Sequence, residues 1–387
     1  MLTKQVSTGN FLMVANYPSD TSYAWWLMEH FWATLAKEFE TYGKKTFLAY
    51  PKITLLSETI QIPAIEPVEL TLPWKSIAQA WCAIKFLRKN NIKSIYFTDQ
   101  RYFNFKYFLM RLCGVKHIIV HDHTPGDRPA VRGLKGTIKS LINALPWFTA
   151  DKILCVSKYM QARNISNTKM PAHKCVVVQN GIEPINCESQ KKITLRKELK
   201  VPNNCIIVTT TGRANPYKRF DFIIATAKEL KMKSPETNAI FLLLGDGPAL
   251  TDLQRQVHDD KLDDTVFLLG FRADVRDILC ASDIAFHAAL GEGFSLSIIE
   301  YMSAGLPVLV PNIPSVSQPI THTKSGLIYK HDNPQEAASC IAKLVNDQSQ
   351  RLAMGATAKA EADKKYSLKR CTGTLVTTLK QSILYES

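Results

Sequence analysis

The sequence predicts an α/β protein built from two doubly wound parallel sheets. Three observations carry this expectation. The apolar runs are short and continuous, such as Cys205–Val208 and Ile240–Leu244, which is how strands read when both faces of a sheet are covered. These runs alternate with segments of helical period along the chain. The alternation occurs twice, on either side of a polar stretch near Asn180–Lys192 that holds Gly181 and Pro184, so 387 residues divide into two domains. The expected domains are 1–182 and 183–366, with 367–387 a final helix returning to the first.

In the first half, strands are expected near Asn10–Asn16, Thr46–Tyr50, Ser94–Thr98, His117–His121, Ile153–Val156 and Cys175–Gln179. Helices are expected near Tyr23–Tyr42, Lys75–Asn90 and Phe103–Leu112. In the second half, strands are expected near Cys205–Thr210, Ala239–Leu244, Thr265–Leu269, Asp283–His287 and Val308–Val310. Helices there fall near Phe220–Met232, Ala249–Asp260, Asp274–Ala281 and Leu296–Ala304, and Ser367–Glu386 follows the second sheet. No short internal repeat is visible.

Composition narrows the class. With 46% hydrophobic and 21% charged residues, the chain can bury a normal core and is not disordered. It needs no disulfide or metal staple. No apolar run approaches the ~20 residues of a spanning helix. Phe11–Ala15 is too short for a secretory signal, so a cytoplasmic chain is expected. The nine cysteines are odd in number and contain no Cys-x-x-Cys pair, so they are expected to be structural thiols. The net charge of +14 is uneven: residues 1–182 carry 23 Lys/Arg against 11 Asp/Glu, and residues 183–387 carry 25 against 23. The basic half suits phosphorylated small molecules, anionic lipid or nucleic acid. No nucleic-acid motif accompanies the charge, which makes that partner the weakest of the three.

In doubly wound sheets ligands bind at the carboxyl ends of strands. The strand Cys205–Thr210 ends in Thr211-Gly212-Arg213, and Pro216-Tyr217-Lys218-Arg219 opens the next helix. Arg213 and Lys218 can converge on one anion where a helix start already favours phosphate; the plainer reading is a solvated basic turn. The next strand ends in Gly245-Asp246-Gly247-Pro248. It lacks the third glycine of a dinucleotide fingerprint and lies mid-domain, so a simple turn outweighs a nicotinamide site. The richest segment runs from Gly291 to Val308. A Gly-flanked loop with Glu292 leads into a helix near Ser295 that carries Glu300. Backbone N–H groups at that start can cradle phosphate, and Glu300 can accept hydrogen bonds from hydroxyls.

Taken together, Asn180-Gly181-Ile182, Gly212-Arg213 with Lys218, Gly245-Asp246-Gly247-Pro248, Leu269-Gly270-Phe271, the Glu292–Glu300 string, Gly305-x-Pro307-Val308 and Ser325-Gly326-Leu327-Ile328 occur in order over residues 180–330. This series resembles the retaining GT-B glycosyltransferases of family 4, strongly in the second domain and weakly in the first. The resemblance implies two Rossmann-like domains facing a central cleft. It implies that Arg213 and Lys218 neutralise the diphosphate of a nucleotide-sugar donor and that Glu300 holds the ribose hydroxyls. Glu292 would contact the transferred sugar. Backbone at Gly293, Phe294 and Ser295, with Leu296, would bind phosphate and sugar beside Gly212 and Gly245. Phe271 and Arg272 would border the base, and His121 would face the sugar. No Asp-x-Asp motif is present, so no metal and no cofactor beyond the co-substrate is expected. Two segments depart from the family. The Tyr17–Tyr23 loop lacks the usual Gly-Gly, and Gln318 stands where a carboxylate is common. Two further readings follow: a nucleotide-sugar-binding protein without transfer, and an epimerase of the same architecture.

The acceptor side is expected near Arg128, Arg132, Lys135 and Lys139. Val131, Leu134, Ile138, Leu141, Ile142 and Leu145 recur there at helical spacing before Pro146-Trp147-Phe148. Such a helix can lie on an anionic membrane or pack on its own sheet with lysine stems snorkelling. A glycan or lipid-linked acceptor in polysaccharide or lipopolysaccharide synthesis fits this side, as does a peripheral position on the inner membrane face.

Overall fold

The computed structural model describes residues 9–21, 25–126, 128–198, 201–202 and 204–384. The chain forms two compact units, Met1–Gly181 with Lys369–Ser387, and Ile182–Leu368. The first unit holds a parallel seven-stranded sheet: β1 (Asn10–Val14), β2 (Thr46–Tyr50), β3 (Ile65–Glu69), β4 (Ile92–Thr98), β5 (His117–Asp122), β6 (Lys152–Cys155) and β7 (Cys175–Val177), in the order β3-β2-β1-β4-β5-β6-β7. The second holds a parallel six-stranded sheet: β8 (Ile206–Thr211), β9 (Ala239–Leu244), β10 (Val266–Gly270), β11 (Ile284–Phe286), β12 (Val308–Pro311) and β13 (Gly326–Tyr329), in the order β10-β9-β8-β11-β12-β13.

Helices cover these sheets. In the first unit they are α1 (Trp25–Glu40), α2 (Ile77–Lys89), α3 (Phe105–Leu112), α4 (Gly133–Ala144) and α5 (Lys158–Ser166). In the second they are α6 (Ser189–Glu198), α7 (Phe220–Lys233), α8 (Leu250–Asp259), α9 (Val275–Ala281), α10 (Leu296–Ser303), α11 (Pro314–Ser317), α12 (Pro334–Asn346) and α13 (Gln348–Tyr366). The last helix, α14 (Leu368–Ile383), buries Leu375, Leu379 and Ile383 and pairs Lys380 with Glu38 at 2.7 Å. No described helix is long and apolar enough to cross a membrane.

The central strands are apolar on both faces because helices lie on both. Phe11 to Val14 are all buried, and so are Phe241 to Leu244. On one side of the second sheet Phe241, Phe286 and Leu309 pack with Ile224 of α7 and Ile341 of α12. On the other, Val308 and Val310 pack with Ile299 and Met302 of α10 and Ala358 of α13. β3 escapes the continuous-apolar pattern. β3 is an edge strand carrying Glu66, Pro67 and Glu69, and an edge tolerates proline and charge. β13 is an edge strand of only four residues.

The cysteines depart from expectation. Cys187 and Cys280, 93 residues apart, form a disulfide that ties the segment before α6 to α9. The pairing follows from tertiary packing, which brings their Cα atoms to 5.1 Å, and no sequence spacing signals it. The other seven are free thiols.

Both sheets reverse strand order once, between β1 and β4 and between β8 and β11. At such a point the loops diverge and a crevice opens at the carboxyl ends. In the second unit the crevice is shaped by backbone contact. Gly212 N–H donates to Leu244 O at 3.0 Å, and Ala214 N–H donates to Asp246 O at 3.0 Å. A Cβ on Gly245 would lie 1.7 Å from Gly212 O, and one on Gly247 would lie 2.4 Å from Ala214 O. The Gly-Asp-Gly-Pro run is thus a turn that lets two strand-end loops touch.

Gly245 also has φ +143, where L side chains rarely go. Gly245→Ala is expected to cost the second unit about 3 kcal/mol through overpacking and backbone strain. Every tryptophan precedes residue 148, so tryptophan fluorescence follows the first unit alone. In urea melts the transition seen by far-UV circular dichroism should move down, while the tryptophan-detected transition moves less.

Candidate active site at the carboxyl end of the second sheet

The loops after β8 and β11 meet through a partly buried ion pair and through a backbone hydrogen bond, Leu290 N–H to Tyr217 O at 3.0 Å. Beyond Gly212, Asn215 caps a 3-10 turn, Pro216–Lys218, by accepting from Lys218 N–H at 3.1 Å. Arg219 then adopts a left-handed conformation, and α7 begins only at Phe220. The basic turn therefore precedes the helix and is not its first turn, as the sequence suggested. This geometry aims the Lys218 side chain at the next loop, where Nζ lies 2.6 Å from Glu292 Oε1.

Glu292 has two further partners. His287, the first residue after β11, is buried and sets Nε2 3.3 Å from Glu292 Oε1. The Glu292 backbone N–H donates to Ser315 Oγ at 3.4 Å. Burial pushes the Glu292 carboxyl up, but the His287 hydrogen bond and the Lys218 charge outweigh it and bring it down to about 2. Burial is also the largest influence on His287. It lowers the imidazole below its ordinary value, against the opposing pull of Glu292. An ionised carboxylate only accepts, so His287 donates from Nε2. His287 was missed by the motif reading. Its one signal was its position directly after a strand at the order reversal.

The helix α10 starts from this loop. Ser295 is its N-cap, with Oγ 3.5 Å from Ile298 N and 3.5 Å from His287 Nε2. Tyr301 anchors the helix to β8: its hydroxyl accepts from Thr211 N–H at 2.6 Å and lies 2.9 Å from Thr211 Oγ1. Glu300, beside Tyr301, is half-buried and makes no side-chain hydrogen bond among the described residues. Burial raises its carboxyl pKa, and the nearby Arg276 charge only partly offsets this. Gly293 is buried, and the Phe294 ring packs 5.7 Å from that of Tyr366.

The other expected residues lie more openly. Arg213 is exposed and makes no ion pair among the described residues. Phe271, just past β10, is 80% exposed, and Arg272 is held by Asp274 at 2.5 Å. Gln318 follows α11 and is exposed. His121 belongs to the first unit and is 0% exposed. Its Nδ1 lies 2.5 Å from Tyr96 OH, and its ring lies 6.0 Å from Phe31 and 4.2 Å from His123. Burial, then the His123 charge, holds its pKa well below the ordinary value. Of the Tyr17–Tyr23 loop, Ser22 and Tyr23 lie outside the described residues. No group of three metal-ligating side chains occurs among the described residues.

Of the four basic residues on the acceptor side, Arg128 and Lys139 are half-buried, while Arg132 and Lys135 are exposed. Helix α4 is turned inside out relative to a helix packed on its sheet. Gly136 and Asn143 are its buried residues, and Asn143 Nδ2 donates to Thr168 O at 2.7 Å. Leu134, Ile138, Leu141 and Leu145 all point to solvent, Leu134 being 77% exposed.

The Glu292 carboxyl falls from the ordinary 4.5 to about 2 on folding, which stabilises the fold by roughly 3 kcal/mol above pH 4.5. That stability is lost as pH falls from 4.5 through 2. Lys218→Met should therefore weaken urea resistance at pH 7 by about 1–3 kcal/mol, and the deficit should vanish near pH 2. Equal deficits at pH 7 and pH 2 would place the effect in packing.

Comparison with known proteins agrees with this architecture. Residues 28–185 match the family described as Glycosyltransferase Family 4, and residues 191–361 match Glycosyl transferases group 1. The O-antigen biosynthesis glycosyltransferase WclY of Escherichia coli is 28% identical over 185 residues, 46% of this chain and 49% of the relative. The UDP-Gal:alpha-D-GlcNAc-diphosphoundecaprenol alpha-1,3-galactosyltransferase of Escherichia coli is 25% identical over 244 residues, 62% of each chain. The match thus spans about half the length of the first relative and under two thirds of the second. The crystal structure of Anabaena HepE in complex with UDP shares the fold, with TM-score 0.73 over 96% of this chain and 100% of that one, at 19% identity. With two doubly wound parallel sheets and family matches over both halves, the chain belongs to the family 4 glycosyltransferases of GT-B fold.

Proposed function

We propose that this chain moves a sugar, with retention and without a metal, from a nucleotide-diphosphate donor to a glycan or lipid-linked acceptor of cell-surface polysaccharide synthesis. The observation that carries the reading is the contrast between Glu292 and Glu300. One carboxylate is held ionised by Lys218 and His287. The other is half-buried beside the same loop with no hydrogen-bond partner among the described residues. A carboxylate kept without a partner is set to accept from a ligand, and two ribose hydroxyls fit it.

The steps follow from the residues. The diphosphate leaves the anomeric carbon as negative charge grows on its oxygen. Arg213 and Lys218 supply the compensating charge, which is the role a metal would otherwise take, and N–H groups at Gly293, Phe294 and Ser295 add to it. Lys218 turns from Glu292 toward the phosphate, freeing Glu292 to bind sugar hydroxyls. Phe271 offers an exposed face beside the base. The acceptor hydroxyl attacks from the side the leaving group departs, and its proton passes to the departing diphosphate oxygen. Relatives named for O-antigen and diphosphoundecaprenol-linked synthesis support the acceptor class. Gln318 favours the second reading, nucleotide-sugar binding without transfer, which predicts binding with no product.

The exposed apolar face of α4 supports a place on an anionic membrane, peripheral at its cytoplasmic side. Arg132 and Lys135 flank that face, and none of α2, α3 or α4 contains an acid. Ile77 and Trp81 of α2 and Phe105 of α3 are further exposed apolar residues of this unit.

A raised carboxyl pKa costs stability above the unfolded value and nothing well below it, so Glu300→Gln should raise the melting temperature at pH 7 and leave it unchanged at pH 3. The same variant should lose the several-degree stabilisation that one of UDP, GDP or ADP gives the wild type; at a hundredfold excess over Kd a bound nucleotide adds about 2.7 kcal/mol. Product formation should fall at least a hundredfold in Glu300→Gln and persist for the wild type in excess EDTA. Full turnover by Glu300→Gln would refute the site.

For the membrane, Leu141→Glu should abolish co-sedimentation with phosphatidylglycerol vesicles without altering the melting temperature. Equal binding of the wild type to neutral and anionic vesicles would count against the basic face.

A further inference from the structure

The first unit contains a basic cavity that none of the family motifs describes. It has a volume of about 430 Å³ and lies where the loops after β4 and β5 meet the inward side of α4. Arg101, Tyr102 and Asp99 line it from the β4 side, Arg128 from the β5 side, and Lys139 with Asn143 from α4. Lys139 and Asn143 are one helical turn apart and so share a face, opposite the exposed Leu134, Ile138, Leu141 and Leu145.

Charge in this cavity is built and then left over. Asp122, buried at the end of β5, takes Arg163 at 3.2 Å and Arg128 at 3.6 Å, and Tyr102 donates to its Oδ2. Arg128 also donates to Tyr102 OH at 3.0 Å and lies 5.2 Å over its ring. One carboxylate thus faces two guanidiniums. Asp99 is occupied with His123, accepting from its backbone N–H at 2.6 Å and lying 3.5 Å from Nδ1. Arg101 and Lys139 have no ion-pair partner among the described residues. Three cations, Arg101, Arg128 and Lys139, line the cavity against one carboxylate, Asp99, an excess that suits a phosphate oxygen cluster.

Resting on the transferase reading above, we propose that this cavity holds the phosphate or diphosphate of a lipid-linked acceptor. Arg101, Arg128 and Lys139 grip the anion, and the apolar outer face of α4 keeps the chain against the bilayer that carries the lipid. One helix then serves both contacts, with its polar side on the anion and its apolar side on the membrane. Only two of the four basic residues expected on this side, Arg128 and Lys139, belong to the anion site. Arg132 and Lys135 belong to the surface.

The test uses farnesyl diphosphate and inorganic pyrophosphate as probes, with binding measured by calorimetry on the full chain. Arg101→Ala and Lys139→Ala break no ion pair or hydrogen bond with a described residue and should fold; Arg128 is left intact because it supports Tyr102 and Asp122. Each variant should weaken farnesyl diphosphate at least tenfold and leave UDP affinity unchanged. Equal farnesyl diphosphate affinity in wild type and both variants would overturn the site, as would no binding to the wild type. Pyrophosphate binding as tightly as farnesyl diphosphate would overturn the lipid source. UDP, GDP and ADP are measured in the same samples. Absence of binding to all three by the wild type would instead refute the donor reading, which separates the two failures.

Discussion

The Lys218–Glu292 ion pair holds the second unit's crevice in shape. It joins the loops after β8 and β11, the two strands on either side of the order reversal. Those loops diverge by topology, and this side-chain bridge, with the Leu290 N–H to Tyr217 O hydrogen bond, brings them back together. Burying two charges is costly unless each keeps good partners. Glu292 has Lys218 and His287, and its N–H has Ser315. The glycine contacts between the β8 and β9 loops place Lys218 within reach, and the Tyr301–Thr211 hydrogen bonds fix α10 against β8.

Around this pair the unit keeps two carboxylates in opposite states. Glu292 is stabilised as an anion by near neighbours, while Glu300 is left with burial that the Arg276 charge only partly offsets. Pairs of titratable groups driven apart in this way mark sites that divide tasks between them. Glu292 contributes stability and Glu300 costs it. The cost has a purpose only if a ligand supplies the missing donors.

The first unit solves a different problem. Its sheet is as well covered as the second, yet α4 turns glycine and asparagine inward and leucines outward. The inward choice makes room for Asn143 to bond the Thr168 carbonyl and for Lys139 to reach the basic cavity. The outward choice leaves an apolar stripe exposed, and α2 and α3 carry exposed apolar residues of their own.

The sequence alone determined the two parallel sheets, because strands buried on both faces must be continuously apolar and such runs are visible without coordinates. It also determined the order of the strand-end loops and most of their polar residues, Lys218, Glu292 and Glu300 among them, because loop chemistry is local. It did not reveal β3, whose edge position permits proline and glutamate, or the Cys187–Cys280 bond, whose partners meet only after folding. His287 stayed hidden because a single histidine carries no spacing signal until β11 places it beside Glu292. The period of α4 showed an apolar stripe, but periodicity cannot say which way a stripe faces. Tertiary packing decided that, since the direction depends on what the opposite side of the helix must touch.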